Sequence, residues 1–159
     1  MRKILKTGGS ALVLAACILL AAVTSVAGQG ALVVSQFPEG RELLRLNPAG
    51  KNGFSLSFIH SVSNTPVIDE YVIEQGNIVQ TAERFMAHGA GLPSRADEPG
   101  GISWERRGDT FVLRMHRPIP KLVVRTDRNY RNRLILGPEE VNLNQWEDQA
   151  LLIRFVPGS

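Results

Sequence analysis

The sequence predicts an all-β domain, an antiparallel β-sandwich or small barrel of roughly eight to ten short strands, following an N-terminal signal or anchor helix. Three observations point there. Short apolar or alternating stretches recur along the chain from Ala31 onward. Turn formers separate them, the 159 residues including 15 Gly and 9 Pro. No segment after Gly28 keeps a helical apolar period over three turns.

In chain order, the strand candidates are Ala31–Ser35, Glu42–Leu46, Phe54–His60, Ile68–Glu74, Asn77–Phe85, Ile102–Arg106, Thr110–Arg117, Lys121–Thr126, Arg133–Leu136 and Ala150–Val156. Alternation is clearest where Phe54, Leu56 and Phe58 oppose Ser55 and Ser57, and where Phe111, Leu113 and Met115 oppose Arg114 and His116. Two hairpins are marked by their turns, Gln75-Gly76 and Gly108-Asp109. Glu139–Gln149 is the best candidate for a short helix, and His88–Gly101, rich in Gly and Pro, is the longest irregular stretch. No repeat or linker divides the region, so residues 31–156 are expected to form one β-rich unit.

Composition excludes several classes. With 43% hydrophobic and 21% charged residues, the chain is no disordered tail, collagen-like repeat, coiled coil or polytopic membrane protein. One cysteine permits no intramolecular disulfide and no Cys-based zinc cage. The formal charge of +3 comes from Arg2, Lys3 and Lys6; without them 15 basic residues balance 15 acidic ones. Net charge therefore gives no reason to expect a nucleic-acid partner.

Residues 1–27 read as a signal peptide or membrane anchor. The basic residues precede an apolar run, Ala11–Val23, and Ser25 and Ala27 are small residues placed for cleavage after Ala27. Uncleaved, the 17 residues Ala11–Ala27 sit at the short edge of what spans a bilayer. A third reading takes Leu14-Ala15-Ala16-Cys17 as a lipobox. All three place the domain outside the cytoplasm, periplasmic or extracytoplasmic, touching membrane only through an uncleaved or lipidated N-terminus.

Chemistry is sparse. There is no phosphate-cradling loop, nucleophile elbow or Cys–His pair after the leader, and the three histidines share no metal-clip spacing, so no metal and no cofactor is expected. Arg107-Gly108-Asp109 reads as a hairpin turn, and eight arginines between Arg106 and Arg133 read mainly as a solvated sheet face. One constellation stands out. His60-Ser61 ends an amphipathic strand and shares the parity of Phe54, Leu56 and Phe58, while Asp69-Glu70 begins the next strand. A short connection is expected to let Glu70 or Asp69 approach His60, a pairing that orients an imidazole or merely ties a loop. Gly89 and Gly91, ahead of Pro93, form a second piece, either an anion-binding backbone or a tight turn.

In order and spacing, Phe58-Ile59-His60-Ser61-Val62, then Pro66-Val67 and Glu70-Tyr71, then Gly89-Ala90-Gly91-Leu92-Pro93 resemble domain-of-unknown-function family 1850. These are small exported bacterial proteins, and the likeness runs from about Ala31 to Phe155. The resemblance carries His60, Ser61, Glu70, Gly89, Gly91 and Pro93 as motif residues and implies no activity. It does imply a setting, since such domains are typically encoded beside, or fused to, the membrane subunit of TRAP-type transporters of the TAXI subclass. The expectation is an accessory or ligand- or partner-binding module of such an organic-acid transporter. The alternatives are an envelope hydrolase using a His60–Glu70 pair and a purely structural envelope protein.

Overall fold

Two antiparallel sheets pack face to face in a computed structural model that describes residues 30–86 and 92–158. The expected leader, and with it Cys17, lies outside the described residues, as do Gly89 and Gly91. Among the described residues no helix is long and apolar enough to cross a membrane.

Among the described residues eleven strands occur in order: β1 Ala31–Gln36, β2 Glu42–Leu46, β3 Gly53–Ile59, β4 Pro66–Glu74, β5 Asn77–Phe85, β6 Gly101–Arg107, β7 Thr110–Pro118, β8 Leu122–Arg125, β9 Arg133–Leu136, β10 Glu139–Asn142 and β11 Ala150–Val156. The small sheet has the order β2-β1-β11-β8 and the large one β10-β9-β3-β4-β5-β7-β6. The chain makes a hairpin in the small sheet and a meander in the large one. It then crosses to β8, returns for β9 and β10, and closes with β11 between β1 and β8. The sandwich is thus the outcome, with one strand more than the ten expected.

The extra strand corrects the helix expected over Glu139–Gln149. Gly137, at φ 60, and Pro138 turn the chain so that Glu139 pairs with Leu136 and Val141 with Leu134. Asn142 then accepts from the Asn144 amide and starts only a single 3-10 turn, Leu143–Trp146. An apolar period too short for a helix face left hairpin pairing to decide the segment. The two hairpins expected from their turns are present. Gln75 and Gly76 both hold positive φ (51 and 83) between Glu74 and Asn77, as a type I′ turn requires. Gly108 takes φ 62 between the paired Arg107 and Thr110.

The main core lies between the sheets. Leu32, Val34, Leu151 and Ile153 of the small sheet meet Phe54, Leu56, Tyr71 and Leu134 of the large one, all at most 5% exposed. A second cluster, Val67, Phe85 and Phe111, packs against Phe58, Leu92 and Trp104. The strand registers resolve the inner face of the large sheet into transverse rows. One row runs Phe58, Val67, Phe85, Phe111, Arg106; the next Leu56, Asp69, Glu83, Leu113, Trp104; the third Phe54, Tyr71, Gln80, Arg117. The segment from Leu92 to Gly100 lies against this face. Leu92 packs on the second cluster, the Trp104 indole donates to the Pro93 carbonyl at 3.3 Å, and Arg117 Nε donates to the Pro99 carbonyl at 2.8 Å.

Candidate functional site

The motif residues separate into three places. His60 follows β3 and holds the β3–β4 turn together. Its backbone amide donates to the Thr65 carbonyl and its carbonyl accepts from Asn64, each at 2.9 Å. Its Nδ1 accepts from the amides of Val62 and Ser63 at 3.3 Å, which places the ring proton on Nε2. Ser61 is exposed in this turn.

Glu70 lies elsewhere, so the expected His60–Glu70 approach does not form. Glu70 pairs in register with Ser55, five residues before His60 and about 16 Å back along the strand. Register also puts Glu70 on the outer face with Ser55 and Ser57, while His60 follows the inner parity. The chain reversal is six residues long, so the carboxylates of β4 are carried past the histidine before they can face it. Glu70 instead takes Arg84, with Nε 2.6 Å and Nη2 3.4 Å from its two oxygens. Asp69 shares the inner face but pairs with Leu56, also remote from His60.

Pro93, the described residue of the glycine loop's motif, is buried, and its carbonyl receives the Trp104 indole. The arginines expected to stripe one face are instead dispersed. Arg114 is on the outer face, Arg106 and Arg117 are on the inner one, and Arg128 pairs with Asp148 in a loop. His116 is exposed, as its alternation predicts, 3.0 Å from Glu74.

The end of the large sheet carrying the His60 turn also carries the end of β5 and the Gly108 hairpin, because Ile59 pairs with Pro66, Val67 with Phe85, and Phe85 with Phe111. Among the described residues, two of the three exposed large apolar side chains are here, Val62 at 67% and Met86 at 49% exposure. Met86 also lines a shallow groove of about 390 Å³ with Pro66, Ile68, Val112, Arg84 and Arg107. Exposed apolar side chains mark a contact surface where they join into one patch with polar residues around it.

Sequence reading missed a polar cluster inside the sandwich. Asp69 accepts from Gln80 Nε2 at 3.0 Å and from the Tyr71 hydroxyl at 3.4 Å. Glu83 faces Asp69 directly across the β4–β5 pair. Arg117 Nη1 reaches Gln80 Oε1 at 3.4 Å, and its buried Nη2 lies 3.6 Å from Glu98 without an ordinary hydrogen bond. Burial pushes Asp69 up to about 6 against the pull of Tyr71, Gln80 and Arg117. Burial, then the Asp69 charge, pushes Glu83 up to about 7. The same burial raises the Tyr71 hydroxyl above its usual range, so it stays a donor. Asp69 also borders a cleft of about 170 Å³ between the sheets, lined by Leu56, Leu122, Val124 and Asn132. Among the described residues no group of three His, Cys, Asp or Glu side chains is placed to hold a metal ion. Only the alternation of an acid into an apolar parity at Asp69 and Glu83 could have flagged this cluster.

Fold and site together define an all-β sandwich in which the described motif residues stay apart: His60 and Ser61 in the β3–β4 turn, Glu70 on the outer face with Arg84, and Pro93 against Trp104. The chain belongs to the family described as a domain of unknown function (DUF1850), which matches residues 54–143, from β3 through the start of the second 3-10 turn. No curated protein and no solved structure matches it.

Proposed function

We propose that this chain is an exported accessory module that docks, through the sheet end bearing His60, Ser61 and Val62, onto the membrane subunit of a TAXI-type TRAP organic-acid transporter. One observation carries the docking: Val62 and Met86 stand exposed beside a turn that His60 organises. Apolar anchors on a structured turn lose little conformational entropy on binding. Family membership supports the transporter setting, since such domains are typically encoded next to these subunits. The basic n-region and apolar run of residues 1–27 support export, with the domain periplasmic or tethered to the outer surface of the membrane.

A hydrolase built on His60 and Glu70 is disfavoured, because the two lie on different parities about 16 Å apart along β3. In a pull-down from native membranes, the tagged wild-type chain is expected to retain the transporter membrane subunit. A Val62→Asp, Met86→Asp double variant is expected to lose it while melting as the wild type does. Equal recovery by both, or by neither, removes the docking surface.

A further inference from the structure

We propose that Asp69, Glu83 and Arg117 form a proton-operated latch: a proton held between the two carboxyl groups leaves Arg117 bound to the 92–100 segment, and loss of that proton draws Arg117 inward and loosens the segment. The geometry is built for such coupling. Two carboxyl groups stand directly opposite each other in a row otherwise made of Leu56, Leu113 and Trp104. Opposed residues of an antiparallel pair hold their Cβ atoms about 5 Å apart, so two negative charges there repel strongly. A single proton removes the repulsion.

Arg117 is a cation whose charge acts on both carboxyl groups, and its own contacts lie on the other side. Its Nε donates to the Pro99 carbonyl at 2.8 Å and its Nη2 lies 3.6 Å from Glu98. Its Nη1 touches the pair only through Gln80, which donates to Asp69. When both acids ionise, the guanidinium gains by turning toward them, and turning gives up Pro99 and Glu98. The released proton passes to solvent.

Other groups around the pair do not compete. Tyr71 donates to Asp69, Glu98 belongs to the segment being held, and the β8 residues lining the adjoining cleft, Leu122, Val123 and Val124, are apolar. Arg133 borders that cleft with Nη1 on Asn132 and Asn142 and Nε on Glu140. Burial places both acids where they exchange protons near neutrality, Asp69 at about 6 and Glu83 at about 7, titrating as a coupled pair.

Trp104 reports the latch directly, because its indole donates to Pro93 of the held segment. The chain has two tryptophans, so Trp146→Phe isolates its emission. In the full chain carrying that change, Trp104 emission is expected to shift in one step as pH rises through about 7, where the pair loses its last proton. Amide exchange over residues 92–100, corrected for its intrinsic pH dependence, is expected to rise about tenfold across the same step. Glu83→Gln abolishes both changes, and Arg117→Gln leaves the segment loose at every pH. A wild-type exchange profile flat from pH 5 to 8 overturns the latch, as does a step that persists unaltered in Glu83→Gln and Asp69→Asn. If Trp146→Phe misfolds, amide exchange on the wild-type chain tests the latch by the same criterion.

Discussion

Asp69 and Glu83 face one another across β4 and β5, on the side of the sheet that also carries Leu56, Leu113, Phe54 and Phe85. An apolar pair would pack this row more stably, so the two acids weaken the fold whenever they are ionised. Strongly perturbed carboxyl groups of this kind concentrate where proteins bind or switch. The pair lies on the inner face that the 92–100 segment covers, one row from the aromatic cluster at the motif-bearing end.

Stability is expected to fall as pH rises from about 4.5 to 7. Both acids have folded pKa values above their unfolded ones, so the native state binds more protons, and this contribution is lost as pH climbs through about 6 and 7. At 1.36 kcal/mol per unit, ionising Asp69 alone costs the fold about 3 kcal/mol; the more exposed Glu83 adds less. Urea denaturation at pH 5 and pH 8 checks this. Asp69→Asn should flatten the pH dependence and be the more stable protein at pH 8, and a wild type more stable at pH 8 than at pH 5 contradicts the assignment.

His60→Ala is expected to cost only about 1 kcal/mol, since the Val62 and Ser63 amides it releases lie in a turn open to water. His60→Asn, whose short side chain can accept from the same amides, should recover part of the loss. A loss of several kcal/mol in urea unfolding would mean that His60 is a core element.

The Glu70–Arg84 contact is two-pronged, and each side chain is about one-third exposed (34% and 32%). A double-mutant cycle with Glu70→Ala and Arg84→Ala should give a coupling of about 0.5–1 kcal/mol, reduced by salt. Coupling near zero would leave Glu70 without the structural task assigned to it.

Phe85→Ala is expected to destabilise the domain by about 3–5 kcal/mol. Its ring is 1% exposed and stacks on Phe111 at 5.6 Å, with Trp104 on the far side of Phe111 at 5.3 Å. The loss should appear in thermal melting together with a change in Trp104 emission; an unchanged melting temperature is the contrary result.

Most of the fold was legible because period-two alternation and glycine turns are local signals. Phe54-Ser55-Leu56-Ser57-Phe58 states its own faces, and Gln75-Gly76 states its own hairpin. The Gly137-Pro138 turn carried the same kind of signal, but the polar stretch after it hid β10. The site was less legible. Proximity of His60 and Glu70 was inferred from chain distance, whereas register, set by a six-residue reversal, decided it. The Asp69–Glu83 pairing depends on the register of β4 with β5 and on the bulge beside Glu70, and neither can be read from either strand alone.

The most direct test places a photoreactive amino acid at Val62, and in a second protein at Glu139 on the far edge strand, and irradiates each in native membranes. The docking account expects position 62 to crosslink to the TRAP membrane subunit and position 139 to remain uncoupled. Crosslinking from 139 but not 62, or from neither, contradicts it.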